Sequence, residues 1–369
     1  MPMFLKELKL CNFKNYTEEK FSFRHKVVSI SGDNGMGKTN ILDAIYYLAM
    51  GKSYLSAGDK NLVTIDQSFF RLDATFEDAS NTHNLVIKYR LGVAKEIEWN
   101  GVRLSKLTDH IGLIPVVFIS PDDVHNLLAG NEERRVFINN TLVQFDSKYL
   151  EALTIYNRNL KQRNALLKDF TDRQYWDQEL LDVLTSSMAE PANYLYQKRK
   201  ELTQAFTSVL QSYYDKISDS REKVALVYSS QLDHKDFISL SKAHQQKDKF
   251  SQRTSVGIHK DEFSFFMNGK SVKDFASQGQ LKSYIFGLKL AQYVYLKSQT
   301  QNEPILLLDD VFDKLDHGRV SRLLSLLKTE TFGQIFITDT HFGRAAEMFG
   351  NTSEVDEFFI RDGKIERVD

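Results

Sequence analysis

Gly32-Asp33-Asn34-Gly35-Met36-Gly37-Lys38-Thr39 has the spacing of a phosphate-binding loop: glycine, four residues, glycine, lysine, then a hydroxyl residue. Gly32, Gly35 and Gly37 permit backbone angles that a Cβ resists, so the loop's N–H groups can point inward at phosphate oxygens. Lys38 would place a point charge at the β- and γ-phosphates of a nucleotide, and Thr39 a hydroxyl ligand on Mg²⁺. A plain glycine-rich turn between a strand and a helix is the competing reading. The flanks favour the nucleotide. Val27-Val28-Ser29-Ile30 is a buried-strand run, and Asn40 to Met50 sets Ile41, Leu42, Ile45 and Leu48 on one helical face. That helix would turn its positive end towards the same phosphates.

Ile305-Leu306-Leu307-Leu308-Asp309-Asp310 is an apolar run ending in two carboxylates. Such a run suits a parallel strand covered on both faces, and ligands bind beyond the carboxyl ends of such strands. Asp309 is the candidate for holding Mg²⁺ and Asp310 for polarising the attacking water, with Lys38 completing the catalytic set. Two terminal carboxylates that merely cap a following helix are the alternative. Ser277-Gln278-Gly279-Gln280 precedes a helix predicted over Gln280–Ser298, and alone it is ordinary capping chemistry. Because it lies shortly before the acidic strand, it resembles the ABC-type ATPase signature. The resemblance implies that Ser277, Gly279 and Gln280 bind the γ-phosphate held by a partner subunit. Asp313-Lys314-Leu315-Asp316 resembles the D-loop of that class. Thr338-Asp339-Thr340-His341 occupies the switch region, with Asp339 or His341 as the switch residue, or His341 as an ordinary surface histidine.

These residues need a scaffold. Val27–Ser31, Phe69–Phe76, Leu85–Leu91, Glu96–Trp99 and Val116–Ile119 read as strands, as do Glu262–Met267, Ile305–Leu308 and Ile335–Thr338. The middle of the chain instead spaces Leu150, Leu153, Tyr156, Leu160 and Leu167, and then Leu181, Leu184, Met188 and Leu195, as long amphipathic helices. A kink or break is expected at Pro191. The heptads do not persist, so helix pairs are expected rather than a coiled coil. The predicted organisation is an α/β head over 1–123 and 252–369, interrupted by a helical arm over 124–251.

Composition sets the limits. The length of 369 residues implies roughly 2.5 domains. With 48 Lys and Arg against 49 Asp and Glu, the net charge of −1 excludes a uniformly basic coat but not a local basic patch. The single cysteine, Cys11, rules out an intrachain disulfide and a cysteine-based zinc site and fits the cytoplasm. No stretch reaches the roughly 18 apolar residues that span a membrane.

The motifs taken together resemble the RecF family of recombination-repair ATPases, relatives of the Rad50 and SMC heads. The resemblance rests on Asn12-Phe13-Lys14-Asn15-Tyr16, on the P-loop with Asn40 to Ile45, and on Ser120-Pro121-Asp122-Asp123. It continues through Tyr156-Asn157-Arg158-Asn159-Leu160-Lys161-Gln162-Arg163-Asn164, Gly257-Ile258-His259-Lys260-Asp261-Glu262, Ser277 and Asp309-Asp310. It implies an ABC-type P-loop ATPase head with an inserted α-helical arm. It further implies an ATP-dependent homodimer that binds DNA near single-strand/double-strand junctions and works with RecR and RecO to load RecA. The chain departs from the family pattern at Lys14 and Lys260, where arginine is usual, at Leu55, where a charge is lost, and at Asp313, where serine is usual. Asp310 stands where many ABC ATPases carry glutamate, and its shorter reach suggests slow turnover.

The residues alone support DNA binding less than ATP binding. Arg134-Arg135, Lys161 with Arg163, and Lys198-Arg199-Lys200 are local basic clusters, but Asp169, Asp172, Asp177 and Glu179 lie nearby, as on a solvated helix face. A P-loop kinase or transferase unrelated to DNA is the rival from another class. It would need no role for Ser277.

Overall fold

A computed structural model describes residues 3–173, 176–218, 222–300, 302–312, 317–329, 332–349, 354–361 and 364–367. The chain divides into two compact units. One is Met1–His125 with Ser212–Arg221 and Ser277–Asp369; the other is Asn126–Gln211 with Glu222–Ala276.

The first unit is built on two six-stranded sheets. In one, Val116–Ile119, Ile305–Leu308, Ile335–Asp339, Val27–Gly32 and Val355–Arg361 run parallel in that order, and Lys364–Arg367 closes the edge antiparallel. The first four of these strands are buried at every position, as expected of parallel strands covered on both faces. The other sheet is antiparallel, ordered Tyr16–Ser22, Phe4–Phe13, Phe69–Glu77, Thr82–Arg90, Glu96–Trp99, Val102–Arg103. Phe69–Glu77 alternates buried with more exposed positions, because one face covers the core and the other meets water.

Helix Lys38–Met50 is buried along most of its length and touches both sheets through adjacent tyrosines. Tyr47 packs edge-on against Phe13 and Phe70 of the antiparallel sheet, and Tyr46 against Phe118 of the parallel one. Phe21 and Phe23 make a second aromatic bridge to Phe358, and Phe23 also meets Phe336. These rings fix the P-loop relative to both sheets. Among the described residues no helix is long and apolar enough to cross a membrane.

The second unit contains the expected long helices, Ser147–Arg173 and most of Gln178–Ser218. The latter runs through Pro191 without a break. Proline removes the hydrogen bond to the carbonyl four residues earlier, and the fully buried Met188, Ala192 and Leu195 hold the helix together across that gap. The unit is not wholly helical. Val224–Ser229, Glu262–Met267 and Lys270–Ser271 form an antiparallel sheet. Because Glu262–Met267 pairs with Val224–Ser229 along its whole length, the unit extends to Ala276 instead of ending at Ser251.

The basic clusters of the arm turn largely inward. Arg163 pairs with Asp248 at 2.8 Å and also donates to Thr254 and Thr185. Arg199 pairs with Asp261 at 2.6 Å, and that carboxylate also accepts from Tyr228 and Ser230. Both arginines are 1% exposed. Arg134 and Arg135 donate to the backbone carbonyls of Leu127, Phe263 and Asp261. Of the cluster residues Lys161, Lys198 and Lys200, two carry acidic partners, Glu201 on Lys198 and Asp233 on Lys200. Arg163 and Arg199 hold the arm together from within, while Lys161 and Lys200 are exposed and Lys198 is half-buried.

Candidate nucleotide site

The loop leaves strand Val27–Gly32 and opens helix Lys38–Met50. Gly32, Gly35 and Gly37 have φ of 148°, 83° and 101°. A Cβ on Gly32 would stand 2.4 Å from the Ile360 carbonyl oxygen, and one on Gly37 2.3 Å from Asn15 Nδ2. Angle and space both demand glycine there. Asp33, Asn34 and Gly35 form an exposed lip, while Met36 and Gly37 are half-buried.

The turn between strands Phe4–Phe13 and Tyr16–Ser22 supports the loop from outside. Asn15 Nδ2 donates to the Met36 carbonyl at 3.1 Å, and Tyr16 Oη to that of Gly37 at 3.1 Å. Asn15 Oδ1 accepts from Asn40 at 2.8 Å. Lys14 pairs at 2.6 Å with Asp43, a fully buried carboxylate that also accepts from Ser53 Oγ and the Tyr54 N–H. Lys14 thus braces the P-loop helix.

Lys38 is buried, its Nζ donating to the carbonyls of Gly32 at 2.8 Å and Asp33 at 3.0 Å. Thr39 Oγ1 donates to Asp309 Oδ1 at 2.8 Å, and Thr338 Oγ1 donates to the same oxygen at 2.8 Å. Thr338 also accepts from the Asp310 N–H at 2.9 Å. The P-loop helix, the acidic strand and the switch strand therefore meet at one carboxylate. Burial holds the pKa of Asp309 above the usual carboxylate value, and the hydrogen bonds from Thr39 and Thr338 offset part of that rise. Asp310 follows in the left-handed region at φ 42°. Its Oδ1 is buried and accepts no hydrogen bond among the described residues.

This set of hydroxyl and carboxylate oxygens suits Mg²⁺, which takes one or two carboxylates and fills its shell with water and phosphate oxygens. Among the described residues no cluster of three or more His, Cys, Asp or Glu forms a separate metal centre.

Ser277 and Gln280 close a reciprocal cap on helix Gln278–Thr300. The Ser277 N–H donates to Gln280 Oε1 at 2.7 Å, and the Gln280 N–H to Ser277 Oγ at 3.3 Å. A Cβ on Gly279 would lie 2.5 Å from Arg319 Nη1, and Arg319 Nε donates to Ser283 Oγ at 2.9 Å. The glycine of this segment leaves room for an arginine. In the switch region Asp339 is buried and accepts from the His341 N–H at 2.8 Å, with Arg344 at 3.3 Å from the same carboxylate. The His341 side chain is largely exposed. Asp313-Lys314-Leu315-Asp316 lies outside the described residues.

Sequence reasoning quoted Asn15 and Thr338 within motifs without giving either a role, and it did not name Arg319 or Lys289. Lys289 Nζ is buried, 2.9 Å from Asp123, 2.7 Å from Tyr54 Oη and 2.9 Å from the Phe118 carbonyl. Burial lowers its pKa and Asp123 raises it back. A lysine within Ile285–Ala291, where its neighbours are buried, was the available signal.

Residues 4–363 match the family model of the RecF/RecN/SMC N-terminal domain. The DNA replication and repair protein RecF of Flavobacterium johnsoniae is 41% identical over 357 residues, covering 97% of this chain and 99% of that one. RecF of Cytophaga hutchinsonii is 37% identical over 367 residues, covering 99% and 97%. Among solved structures, the recombination mediator protein RecF-ATP of the RecFOR pathway superposes with a TM-score of 0.89 at 28% identity, covering 100% of this chain and 98% of that one. The Smc head domain from Pyrococcus furiosus superposes at 0.55 with 17% identity, covering 99% and 96%, a likeness of fold. On the family model and on relatives of this identity along almost the entire chain, the protein belongs to the RecF family.

Proposed function

We propose that the chain is an ATP-dependent DNA-binding protein of recombinational gap repair. ATP and Mg²⁺ join two heads, the dimer holds DNA near single-strand/double-strand junctions, and slow hydrolysis releases it. Working with RecR and RecO, it would help load RecA. The observation that carries the ATP half is the double hydrogen bond onto Asp309 Oδ1 from Thr39 and Thr338, which gathers the three nucleotide-facing elements at one point. The relatives' names and the ATP-bound solved relative support the rest.

In this reading Lys38 and the loop N–H groups hold the phosphates. Mg²⁺, held by Thr39 and Asp309, would neutralise charge on the phosphate oxygens. Asp310, with a buried carboxylate oxygen that accepts no hydrogen bond among the described residues, orients and deprotonates water. Ser277, Gly279 and Gln280 present a capped helix N-terminus to the γ-phosphate of a second copy. Two chains together offer a DNA surface that one chain of net charge −1 lacks.

DNA affinity measured in ATP and Mg²⁺ tests the coupling. Lys38→Met and Ser277→Arg should each weaken binding at least tenfold; wild-type affinity in both would contradict it.

A further inference from the structure

The arm carries one surface whose composition the nucleotide site does not account for. From Lys242 to Arg253 the chain has four cations, Lys242, Lys247, Lys249 and Arg253, and one carboxylate, Asp248. Asp248 is fully buried in its pair with Arg163, so the charge this segment shows to water is wholly positive. Between Lys249 and Arg253 stands Phe250, 92% exposed. It lies on helix Gln245–Ser251, which Gln252 ends in the left-handed region at φ 55°. The chain then lines a groove of about 720 Å³ with Ser251, Gln252 and Arg253 on one side and Asn164, Ala165 and Lys168 on the other. Lys168 and Arg253 are exposed and so both face this groove with their charges in water.

The segment is rigidly mounted. Thr254 donates to Asn164 Oδ1 through both its N–H and its hydroxyl, at 2.7 and 2.8 Å. Ser255 does the same to Asp248 Oδ1, at 2.9 and 2.6 Å. Beside it, Lys249 Nζ sits 4.7 Å over the ring of Trp176, which packs on Phe170. A buried ion pair thus anchors a ledge that offers cations and an unstacked aromatic ring.

Exposed cations with an exposed ring match the chemistry of a single strand, whose phosphates take the charge and whose splayed bases take the ring face. A duplex keeps its bases stacked and would use only the cations. We propose that Phe250, flanked in sequence by Lys249 and Arg253 and next in the chain to the groove that Lys168 and Arg253 line, is a contact site for single-stranded nucleic acid. The inference rests on the DNA-binding reading above and assigns the single-strand part of it to the arm. An acidic, aromatic peptide would satisfy the same charges, and the experiment separates the two.

The test is fluorescence anisotropy of the full chain in ATP and Mg²⁺, with a labelled oligothymidylate, a blunt duplex and an Asp/Phe-rich peptide as probes. Phe250→Ala should weaken oligothymidylate binding about tenfold, with the duplex changed less than about twofold and Phe250→Trp restoring affinity. Lys168→Ala with Arg253→Ala should lower the salt slope for the single strand by about 1.4, two cations at about 0.7 each. Wild-type affinity of Phe250→Ala for the oligothymidylate would overturn the proposal while leaving the DNA-binding reading intact. Loss of peptide binding alone would overturn it in favour of a protein partner. A wild-type chain that binds neither nucleic acid would overturn the DNA-binding reading itself.

Discussion

Thr39 Oγ1 donates to Asp309 Oδ1 at 2.8 Å across 270 positions of sequence. The helix that opens the P-loop and the strand that ends in two carboxylates are thereby held in register. Thr338 shares the same acceptor, so a change at this oxygen is felt on three elements.

Asp309→Asn keeps the acceptor and removes the charge. Burial raises the folded carboxyl pKa, so the folded state holds this proton more tightly than the unfolded chain does. The group's contribution to stability is therefore present at low pH and is lost as pH rises through the folded pKa. Asp309→Asn should therefore raise the Tm of the nucleotide-free fold by about 2 °C at pH above the folded pKa. The gain should shrink as pH falls through the folded pKa, where the unmutated carboxyl takes up its proton. Hydrolysis should fall at least about 100-fold. Scanning fluorimetry without nucleotide across pH checks the sign.

Gly279→Ala should separate binding from assembly. The added Cβ would meet Arg319 Nη1 at 2.5 Å and push the guanidinium off Ser283. ATP affinity of the monomer should stay within about twofold, because the P-loop is untouched, while ATP-dependent dimerisation should weaken at least tenfold. Arg319→Ala alone should reproduce part of that loss, since it removes the hydrogen bond to Ser283. Equilibrium nucleotide binding and sedimentation, run on the same preparations, decide it.

Arg199→Ala should cost about 3–5 kcal/mol of stability by leaving Asp261 buried without its cation. Lys198→Ala and Lys200→Ala, one position to either side and in exposed pairs, should leave the unfolding midpoint nearly unchanged. Urea unfolding of the three variants tests whether this cluster is structural. Equal effects at all three positions would contradict the buried-pair account.

The contrast at 198–200 also shows how far the sequence could be read. Continuous apolar strands such as Val27–Gly32 and Ile305–Leu308 announced themselves, because burial on both faces leaves no polar position. The P-loop was legible because Gly32 and Gly37 are fixed by angle and space at once and Gly35 by angle. Strand Val224–Ser229 was hidden because only its partner Glu262–Met267, far along the chain, gives it a sheet to join. Arg163 and Arg199 read as surface charge because their acidic partners come from Asp248 and Asp261, 85 and 62 positions away. Nothing near Ser277 in sequence revealed Arg319, which reaches Gly279 from another helix.

Asp310→Glu should raise the single-turnover hydrolysis rate about tenfold, because the longer side chain brings its carboxylate closer to the attacking water. The hydrogen bond from its N–H to Thr338 does not depend on the side chain, but Glu adopts the left-handed φ of 42° less readily than Asp, so a small loss of Tm should accompany the faster rate. Rapid-quench measurement with saturating enzyme reads the chemical step. An unchanged rate would mean that the shorter carboxylate does not limit turnover.

In the function proposed above, ATP joins two copies of this chain through Lys38 on one and Ser277 on the other. Light scattering of the full chain with and without ATP and Mg²⁺ reads that joining as mass. The account predicts a doubling of mass with ATP, none for Lys38→Met or Ser277→Arg separately, and partial recovery when the two variants are mixed, since a mixed pair keeps one intact site. A wild-type chain that stays monomeric at saturating ATP, or a Ser277→Arg chain that dimerises like wild type, would contradict it.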